Sequence, residues 1–353
     1  MAFSAITKPS LHFNSLLYSG DGGTQAITGV GFEPDFSWLK CRSTGYHNRA
    51  FDTVNGAGKN LITDNNAALE TVDEGITTFG SDGFTVKQGS TLEYNASGQT
   101  YVSWNWKAGT TTGITTNGST TITPDSYSFN QTAGFSIIKY TGNATSGAKV
   151  PHGLGVTPSM FFVKVLSTSN NWGVYFKGMG GTKAMYLDST DGETSDVWLN
   201  NTAPDDVNFT LSNGNYGNTS GNAHVAYCFA NIKGFSQAGW YYGNQSSNGT
   251  YCYLGFAPAY IFIKKMGNTS HWNIFDRARS TMNVRDDYLK ADSTDAETTG
   301  SSNIRVDFLS NGFKLRGDST EINQDTQSLM YFAVARNPLV SNSGTIGVPG
   351  TAV

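Results

Sequence analysis

Acidic residues recur at places where paired carboxylates could hydrolyse a glycosidic bond. The two pairs are Asp52 with Glu70, and Asp276 with Glu297. Such a reaction needs one carboxyl group as the acid and a second as the nucleophile or base. A third pair is incomplete, because Glu193 is accompanied by Tyr175 and Phe176 where an aspartate is expected. We therefore expect no enzyme and name no catalytic residue, with a glycan-degrading enzyme as the minority alternative.

Residues that bind metals or form redox centres show no matching spacing. Cys41, Cys228 and Cys252 form no Cys-x-x-Cys pair, and the five histidines are far apart in the chain. Two acidic turns, residues 188–191 and 292–295, have oxygen ligands of the kind that Ca²⁺ prefers. Both are better explained as solvated turns, so we expect no metal and no other cofactor, with Ca²⁺ as the alternative.

A lysine and a glutamate recur in three copies along the chain. They are Lys40, Lys164 and Lys264, and Glu70, Glu193 and Glu297. Two structural roles fit this recurrence: one ion pair in each copy, or capping of neighbouring loops. Either role is favoured over contact with a ligand.

One stretch, residues 239–249, has the composition of a binding loop. Its aromatic side chains supply rigid contact area that can stack on sugar rings, and its small polar side chains supply adaptable hydrogen bonds. The predicted contact residues for a glycan or a partner protein are Trp240, Tyr241, Tyr242, Asn244, Gln245 and Asn248. A strand followed by a hairpin turn explains the same residues equally well.

The elements that hold these residues repeat three times. A Gly-x-x-Pro motif, five residues and a lysine occur at residues 31–40, 155–164 and 255–264. Each copy follows a Tyr–Gly motif and closes on an aromatic strand, and a repeated order of motifs indicates a repeated structural unit. The five residues after each proline are typical of a strand. In the second and third copies both faces are apolar, which is typical of a strand covered on both sides, whereas in the first copy Phe36 and Trp38 face one side and Asp35 and Ser37 the other. We expect Trp38, Phe162 and Phe262 in the core.

Composition favours an all-β fold. Only 14% of the residues are charged, whereas the chain has 41 Gly, 17 Tyr and 21 Phe. Aromatic and β-branched residues punctuated by Gly, Asn and Asp are typical of short strands and turns. We predict three tandem antiparallel β-sandwich domains of the jelly-roll or concanavalin A-like type, with short helices only near residues 65–74 and 286–296.

The predicted domain limits follow from the repeats and from one Thr-, Gly- and Asn-rich stretch. Such a stretch is typical of a linker, or of an extended arm that becomes ordered only against a neighbour in an assembled particle. The predicted parts are residues 1–109 (first sandwich), 110–133 (linker or arm), 134–234 (second sandwich), 235–340 (third sandwich) and 341–353 (C-terminal tail).

Charge and hydropathy argue against several classes of protein. The formal net charge of −4 offers no basic surplus for phosphate groups, so we expect no nucleic-acid binding. No run approaches 18 apolar residues, so we expect no insertion into a membrane. The first 20 residues lack a basic segment followed by an apolar one, so we expect no signal peptide.

Several motifs together resemble a family of virion proteins of tailed phages, especially marine ones, that are described as tail-fibre-like or structural proteins. The motifs are Tyr18-Ser-Gly20, Gly-Phe-Glu-Pro-Asp-Phe-Ser-Trp-Leu-Lys (31–40), Ser-Asp-Gly-Phe (81–84), Tyr-Val-Ser-Trp-Asn-Trp-Lys-Ala-Gly (101–109), Pro-His-Gly-Leu-Gly-Val-Thr-Pro (151–158), Ala-Tyr-Cys-Phe-Ala (226–230) and Phe-Leu-Ser-Asn-Gly-Phe-Lys-Leu (308–315). The resemblance runs from about Lys8 to the C-terminus. It implies lectin-like sandwiches and carries no catalytic motif.

The resemblance and the residues together lead to one functional expectation. We expect a non-enzymatic virion protein, a tail fibre or tail-associated receptor-binding protein, that contacts host surface glycans. Its expected partners are other virion proteins, host surface polysaccharide and further copies of itself in the particle, after synthesis in the host cytoplasm. Because the chain has no shaft, coiled coil or separate anchoring domain, a capsid decoration or cement protein on the phage head is the alternative.

Overall fold

Antiparallel sheets make up nearly all of the protein. The computed structural model describes Ser4 and residues 6–214, 216–343 and 346–349, and the all-β prediction is confirmed there. Helical structure in these residues is confined to a 3₁₀ turn at Pro9–Leu11 and one short helix, α1 (Thr320–Asn323). No helix of the described residues is long and apolar enough to cross a membrane.

The strands fall into three units. Unit 1, residues 9–106, contains β1 (Phe13–Ser19), β2 (Thr24–Thr28), β3 (Phe36–Cys41), β4 (Arg49–Asp52), β5 (Lys59–Ile62), β6 (Glu70–Thr71), β7 (Gly75–Gly80), β8 (Gly83–Lys87) and β9 (Thr100–Trp106). Unit 2, residues 126–229, contains β10 (Ser126–Asn130), β11 (Phe135–Thr141), β12 (Ala148–Pro151), β13 (Met160–Val165), β14 (Gly173–Phe176), β15 (Lys183–Tyr186), β16 (Thr194–Ser195), β17 (Asn208–Leu211) and β18 (Ala223–Phe229). Unit 3, residues 236–338, contains α1 and β19 (Ser236–Tyr242), β20 (Tyr251–Tyr253), β21 (Phe256–Lys265), β22 (Asn273–Asp276), β23 (Leu289–Lys290), β24 (Val306–Leu309), β25 (Gly312–Leu315) and β26 (Ser328–Pro338), and a hairpin of β27 (Val340–Ser343) and β28 (Ile346–Pro349) follows it.

Each unit has a large sheet and a small sheet. The large sheets have the orders β1-β9-β3-β4-β5-β6, β10-β11-β18-β13-β14-β15-β16 and β19-β26-β21-β22-β23. The small sheets have the orders β2-β8-β7, β12-β17 and β20-β25-β24. In every large sheet the last strand of the unit lies beside the strand that follows the proline, so the repeat in sequence is matched by a repeat in strand order. The limits of the predicted domains stay a prediction.

The large sheets of the three units pack against one another. Trp38, Phe162 and Phe262 are all buried, as expected from their place four residues after each proline. The Phe262 ring lies 6.0 Å from the Trp38 ring and 6.3 Å from the Phe162 ring. The opposite face of each strand packs inside its own unit. The Phe161 ring, for example, contacts the Phe209 ring of the small sheet, with the centroids 5.1 Å apart. Both faces of these strands are therefore covered.

The recurring lysines join each unit to its neighbour. All three side chains are buried, and each ammonium group donates to a carbonyl of another unit. These contacts are Lys40 Nζ to Thr294 O at 3.0 Å, Lys164 Nζ to Asn66 O at 3.0 Å and Lys264 Nζ to Thr190 O at 2.6 Å. Each ammonium also donates to a carbonyl six residues further along its own unit: Tyr46, Asn170 and Ser270. Of the two expected roles, loop capping is correct.

The expected ion pairs between these lysines and the recurring glutamates are not formed. Glu70 pairs with Arg49, Glu193 with Lys183, and Glu297 with Arg42 and Arg279. The assignment of Glu70 to the repeat is also wrong by one residue. Thr71 lies opposite Lys59 as Ser195 lies opposite Lys183, which makes Leu69 the counterpart of Glu193.

Backbone hydrogen bonds close the three units into a ring. They run from Leu69 N to Leu166 O at 2.9 Å, from Glu193 N to Met266 O at 2.6 Å and from Glu297 N to Arg42 O at 2.8 Å. Three side chains that occupy equivalent places in the three units donate further hydrogen bonds to carbonyls of a neighbouring unit. They run from Trp172 Nε1 to Ile62 O at 2.9 Å, from Trp272 Nε1 to Tyr186 O at 2.9 Å and from Asn48 Nδ2 to Lys290 O at 3.2 Å. Unit 1 therefore contacts both unit 2 and unit 3.

The two expected helices, near residues 65–74 and 286–296, are absent. Loops and the short strands β6 and β23 lie there instead. The carbonyls of Asn66 and Thr294 accept hydrogen bonds from lysines of other units. In a helix these carbonyls would instead accept from backbone N–H groups of the helix itself. Tertiary hydrogen bonds therefore override the local preference.

The predicted linker is partly built into unit 2. Its last part forms β10, which pairs with β11 at the sheet edge. Further upstream, Ile122 is buried, and the amides of Thr121 and Ile122 bond to Lys149 O at 3.1 and 3.0 Å. Residues 115–119 are exposed, and the side chains of Asn117 and Ser119 bond to Asn208 and Lys149. The arm thus lies across its own unit, and the expectation that it is ordered only in a particle differs from what the structure shows.

Replacing Lys264 by Met should weaken the junction between units 2 and 3. The change removes a buried charge, but it also leaves Ser270 O without the donor it has in the native protein. We expect the free energy of unfolding in urea to fall by about 1–3 kcal/mol. Lys233→Met, at an exposed lysine between β18 and β19, is the control and should have no measurable effect. Equal unfolding midpoints for both variants would contradict the capping role.

Limited proteolysis of the free chain tests the anchoring of the linker. We expect the first cut within residues 115–119, with the two pieces remaining together because unit 1 also contacts unit 3. Ile122→Ser should speed the cut by freeing the segment from the small sheet. A first cut inside Ser126–Asn130, or separation of the pieces under native conditions, would show that the segment is not part of the fold.

Candidate ligand-binding groove

A groove of about 370 Å³ lies where unit 2 meets unit 3. One wall is Met179, Lys183 and Glu193 of unit 2. The other is the end of β19, with Trp240 and Tyr242, together with residues 326–328. Because the ring of units closes tightly at the lysine contacts, this groove is an opening at the rim of the junction.

Trp240 and Tyr242 protrude from the edge of the large sheet. They share one face of β19 with the buried Ser236 and Ala238, yet their side chains are 51% and 56% exposed. Their rings are nearly perpendicular, at 83°, with centroids 5.1 Å apart. Trp and Tyr are enriched at interfaces, because each combines a large apolar ring with a hydrogen-bonding group. The pair therefore forms a rigid apolar corner facing the groove.

Tyr241, the third aromatic residue of the predicted contact set, points the other way. It is buried, burial raises its pKa well above the usual range, and its hydroxyl donates to Ile322 O at 2.6 Å. Tyr18 and Tyr140 make the same bond, to Tyr94 O at 2.7 Å and Gly217 O at 2.6 Å. The repeated motif is therefore Tyr-x-Gly in unit 3 as well, and Tyr241 is removed from the surface contacts as a correction.

The remaining predicted residues lie on the turn after β19. Asn244, Gln245 and Asn248 are exposed but do not line the groove. Buried Asn323 holds the turn, since its Oδ1 accepts from Asn244 N at 3.0 Å and its backbone O accepts from Gln245 N at 2.7 Å. Gly243 permits this approach, because a Cβ there would lie 2.2 Å from Gln324 O. Of the predicted contact residues, Trp240 and Tyr242 therefore line the groove, Tyr241 lies in the core, and the other three lie on the turn.

The aromatic corner is confined to unit 3. Because Tyr18, Tyr140 and Tyr241 are equivalent, the counterparts of Trp240 are Leu17 and Lys139. The counterparts of Tyr242 are Ser19 and Thr141. The backbone is therefore repeated in all three units, but only unit 3 has the exposed aromatic side chains.

Polar groups line the rest of the groove. Lys183 and Glu193 form an ion pair and are 39% and 22% exposed. Gln327 also lines the groove, and its Oε1 accepts from Asn268 Nδ2 at 3.1 Å. Glu193 is the single carboxylate among the lining residues, whereas glycoside hydrolysis needs two. The arrangement suits binding by stacking and hydrogen bonding.

The carboxylates considered for catalysis hold units together. Asp52 accepts from the Tyr227 hydroxyl of unit 2 at 2.7 Å, and Asp276 accepts from Trp104 Nε1 of unit 1 at 2.9 Å. Both are buried, and burial raises the pKa of Asp52 although its bonds to Asn55 and Tyr227 oppose the rise. Phe176 takes the equivalent place in unit 2, opposite Met160 as Asp52 is opposite Phe36.

The acidic turns considered for Ca²⁺ are also used internally. Asp188 Oδ1 accepts from Trp172 N at 3.0 Å, and Asp292 Oδ1 accepts from Trp272 N at 2.9 Å. Asp191 bonds to Ser189, and Asp295 pairs with Lys290. Within the described part of the chain, no three His, Cys, Asp or Glu residues are grouped as a metal ion would require.

Comparison with known proteins gives one family. A family model described as a domain of unknown function, DUF7483, matches residues 8–338. No curated protein and no solved structure matches the chain.

Substitutions on β19 separate surface residues from core residues. Trp240→Ala and Tyr242→Ala should change the free energy of unfolding by no more than about 0.5 kcal/mol, since both side chains are half exposed. Tyr241→Phe should lower it by about 1 kcal/mol, because Ile322 O loses a buried donor. Urea unfolding of the three variants gives the comparison. The opposite ranking would mean that Trp240, not Tyr241, belongs to the core.

Proposed function

The chain belongs to the DUF7483 family, and we propose that it is a non-enzymatic virion protein that binds host surface glycan in the groove between units 2 and 3. The observation that carries the proposal is the exposed aromatic corner of Trp240 and Tyr242 beside a polar wall. The virion setting is supported by the motif resemblance from about Lys8 onward. The glycan is supported by the chemistry of the groove.

A sugar ring offers both surfaces that the groove matches. Its C–H face is apolar and packs on aromatic rings, which keep a fixed shape at low entropic cost. Its hydroxyl groups need donors and acceptors at the rim, which Lys183, Glu193 and Gln327 provide. Two rings at 83° offer two stacking planes, so consecutive sugars of a bent chain fit better than a single ring does.

The second candidate function is a capsid decoration protein. The observation that favours it is the closed ring of three units, because a body with three similar sides suits a place where three subunits of a lattice meet. The confinement of the aromatic corner to one unit favours attachment instead. Copy number in purified virions separates the two: a few tens of copies fit the tail, and hundreds fit the head.

A glycan array of bacterial surface polysaccharides tests the attachment function. We expect at least one polysaccharide to bind the native chain, and Trp240→Ala or Tyr242→Ala to weaken binding about tenfold or more, which corresponds to ~1.4 kcal/mol. Leu17→Ala is the matched control, since Leu17 is the exposed counterpart of Trp240 in unit 1. No reducing ends should be released.

Two results would overturn this proposal. One is binding that Trp240→Ala and Tyr242→Ala leave at the level of Leu17→Ala, which would place the glycan elsewhere. The other is the absence of any bound polysaccharide together with hundreds of copies per virion, which would favour the decoration protein.

A further inference from the structure

One buried cation in the described part of the chain has a side chain with neither an ion pair nor a hydrogen bond to its buried nitrogens. Arg285 is 2% exposed, and its Nε and Nη1 atoms are buried without a hydrogen bond. An uncompensated charge inside a protein is costly, and buried cations are normally paired or bonded to oxygen. Arg285 therefore calls for an explanation of what satisfies it.

Every other buried Lys or Arg of the described residues is satisfied. Lys40, Lys164, Lys264 and Lys265 donate to carbonyl or amide oxygens, and Arg49 and Arg279 pair with carboxylates. The fold thus supplies oxygen atoms to six of the seven buried cations. The exception at Arg285 is a local feature of unit 3.

The backbone and the neighbouring ring fix the place of Arg285. Its N and O bond to Val306 O and N at 2.8 and 3.0 Å, which ties it to β24. Its guanidinium carbon lies 4.4 Å from the centre of the Phe308 ring. One face of the guanidinium is therefore covered by an apolar ring, while two of its nitrogens lack acceptors.

Two more arginines lie close enough to act on Arg285. Burial is the main cause that lowers the pKa of Arg285 to about 10; repulsion from Arg277 and Arg336 adds to the effect, and attraction to Asp276 and Asp307 opposes it. Burial and then Arg336 lower the pKa of Arg277 as well. The two flank β21: Arg277 N bonds to Ala259 O at 2.8 Å, and Arg336 lies at the irregularity of β26 opposite Ala257 and Pro258.

The carboxylates in this region are already occupied. Asp276 bonds to Arg279 at 2.5 Å and to Trp104 at 2.9 Å, and Asp307 pairs with Arg316 at 2.5 Å. Neither Arg277 nor Arg336 has a carboxylate partner among the described residues. Arg277, Arg285 and Arg336 thus lie at one end of the large sheet without an ion pair to any carboxylate of the described residues, although Asp276 and Asp307 are near enough to attract Arg285.

We propose that Arg277, Arg285 and Arg336 bind an oxyanion, either phosphate or sulfate, free or as a monoester. Guanidinium groups present planar pairs of donors that match such oxygens, and one anion would supply acceptors to Arg285 while relieving repulsion among all three. Arg277 and Arg336 are only half buried, so the anion would reach the site from solvent past these two side chains. The site is separate from the aromatic groove and does not depend on the glycan proposal.

Thermal unfolding of the full chain in sodium phosphate and sodium sulfate tests this site, with sodium chloride at equal ionic strength as the reference. We expect Tm to rise with the concentration of either anion and to follow a saturable binding curve. The double variant Arg277→Ser/Arg336→Ser should lose this specific rise. Because sulfate and phosphate stabilise many proteins without a site, the difference between native chain and variant is the measured quantity.

Lys233→Ser is the matched control, since it removes an exposed cation of the same neighbourhood and should leave the anion effect unchanged. Arg285→Lys should also abolish the rise; if that variant does not fold, the double variant still decides. Methyl phosphate distinguishes the two sources, because a rise with the ester shows a site open to a substituted group and a rise with free ions alone shows a closed one. Equal Tm shifts in native chain and double variant would overturn the proposal.

Discussion

Buried ammonium groups at the unit junctions are the interaction on which the rest of the structure depends. Lys40, Lys164 and Lys264 each span a junction and donate to carbonyls on both sides. Desolvation lowers the pKa of each to about 8, so the carbonyls must offset a real cost of burial. Loops that would otherwise leave carbonyls orphaned are thereby fixed, and the three units become one ring with a shared aromatic centre.

Features that recur in all three units close the ring, whereas features found in only one unit lie where no junction depends on them. The Tyr-x-Gly motif and the aromatic residue after each proline recur because the same backbone must close three times. So does the buried asparagine whose Oδ1 accepts from a backbone N–H of the turn after that motif: Asn95, Asn218 and Asn323. Asp52 and Asp276 are replaced by Phe176 in unit 2, where an apolar side chain fills the same place. Surface features are free to differ, since no junction depends on them. The aromatic corner and the three arginines are both confined to unit 3.

The proposed groove and the proposed anion site make different demands on the fold. Trp240 and Tyr242 need only a rigid strand edge beside the wall of another unit, and the ring supplies both. Arg285 needs an acceptor inside the protein, which the described residues do not supply. The groove has exposed apolar side chains, and the proposed anion site has a buried guanidinium whose Nε and Nη1 lack hydrogen-bond acceptors. Each is a departure from what stability alone would favour, which is the common physical reason for assigning function to them.

Local patterns in the sequence determined the all-β class, the three-fold repeat of motifs, the burial of Trp38, Phe162 and Phe262, and the binding composition of residues 239–249. These follow from side-chain periodicity and turn chemistry, which act between residues close in the chain. Only the tertiary structure decided that the lysines bond to carbonyls of other units, that Tyr241 is buried while Trp240 and Tyr242 protrude, and that residues 65–74 and 286–296 form no helix. Those outcomes depend on contacts between residues about 70 to 250 positions apart, and nothing in the spacing of residues along one segment specifies which distant carbonyl or sheet edge will meet it.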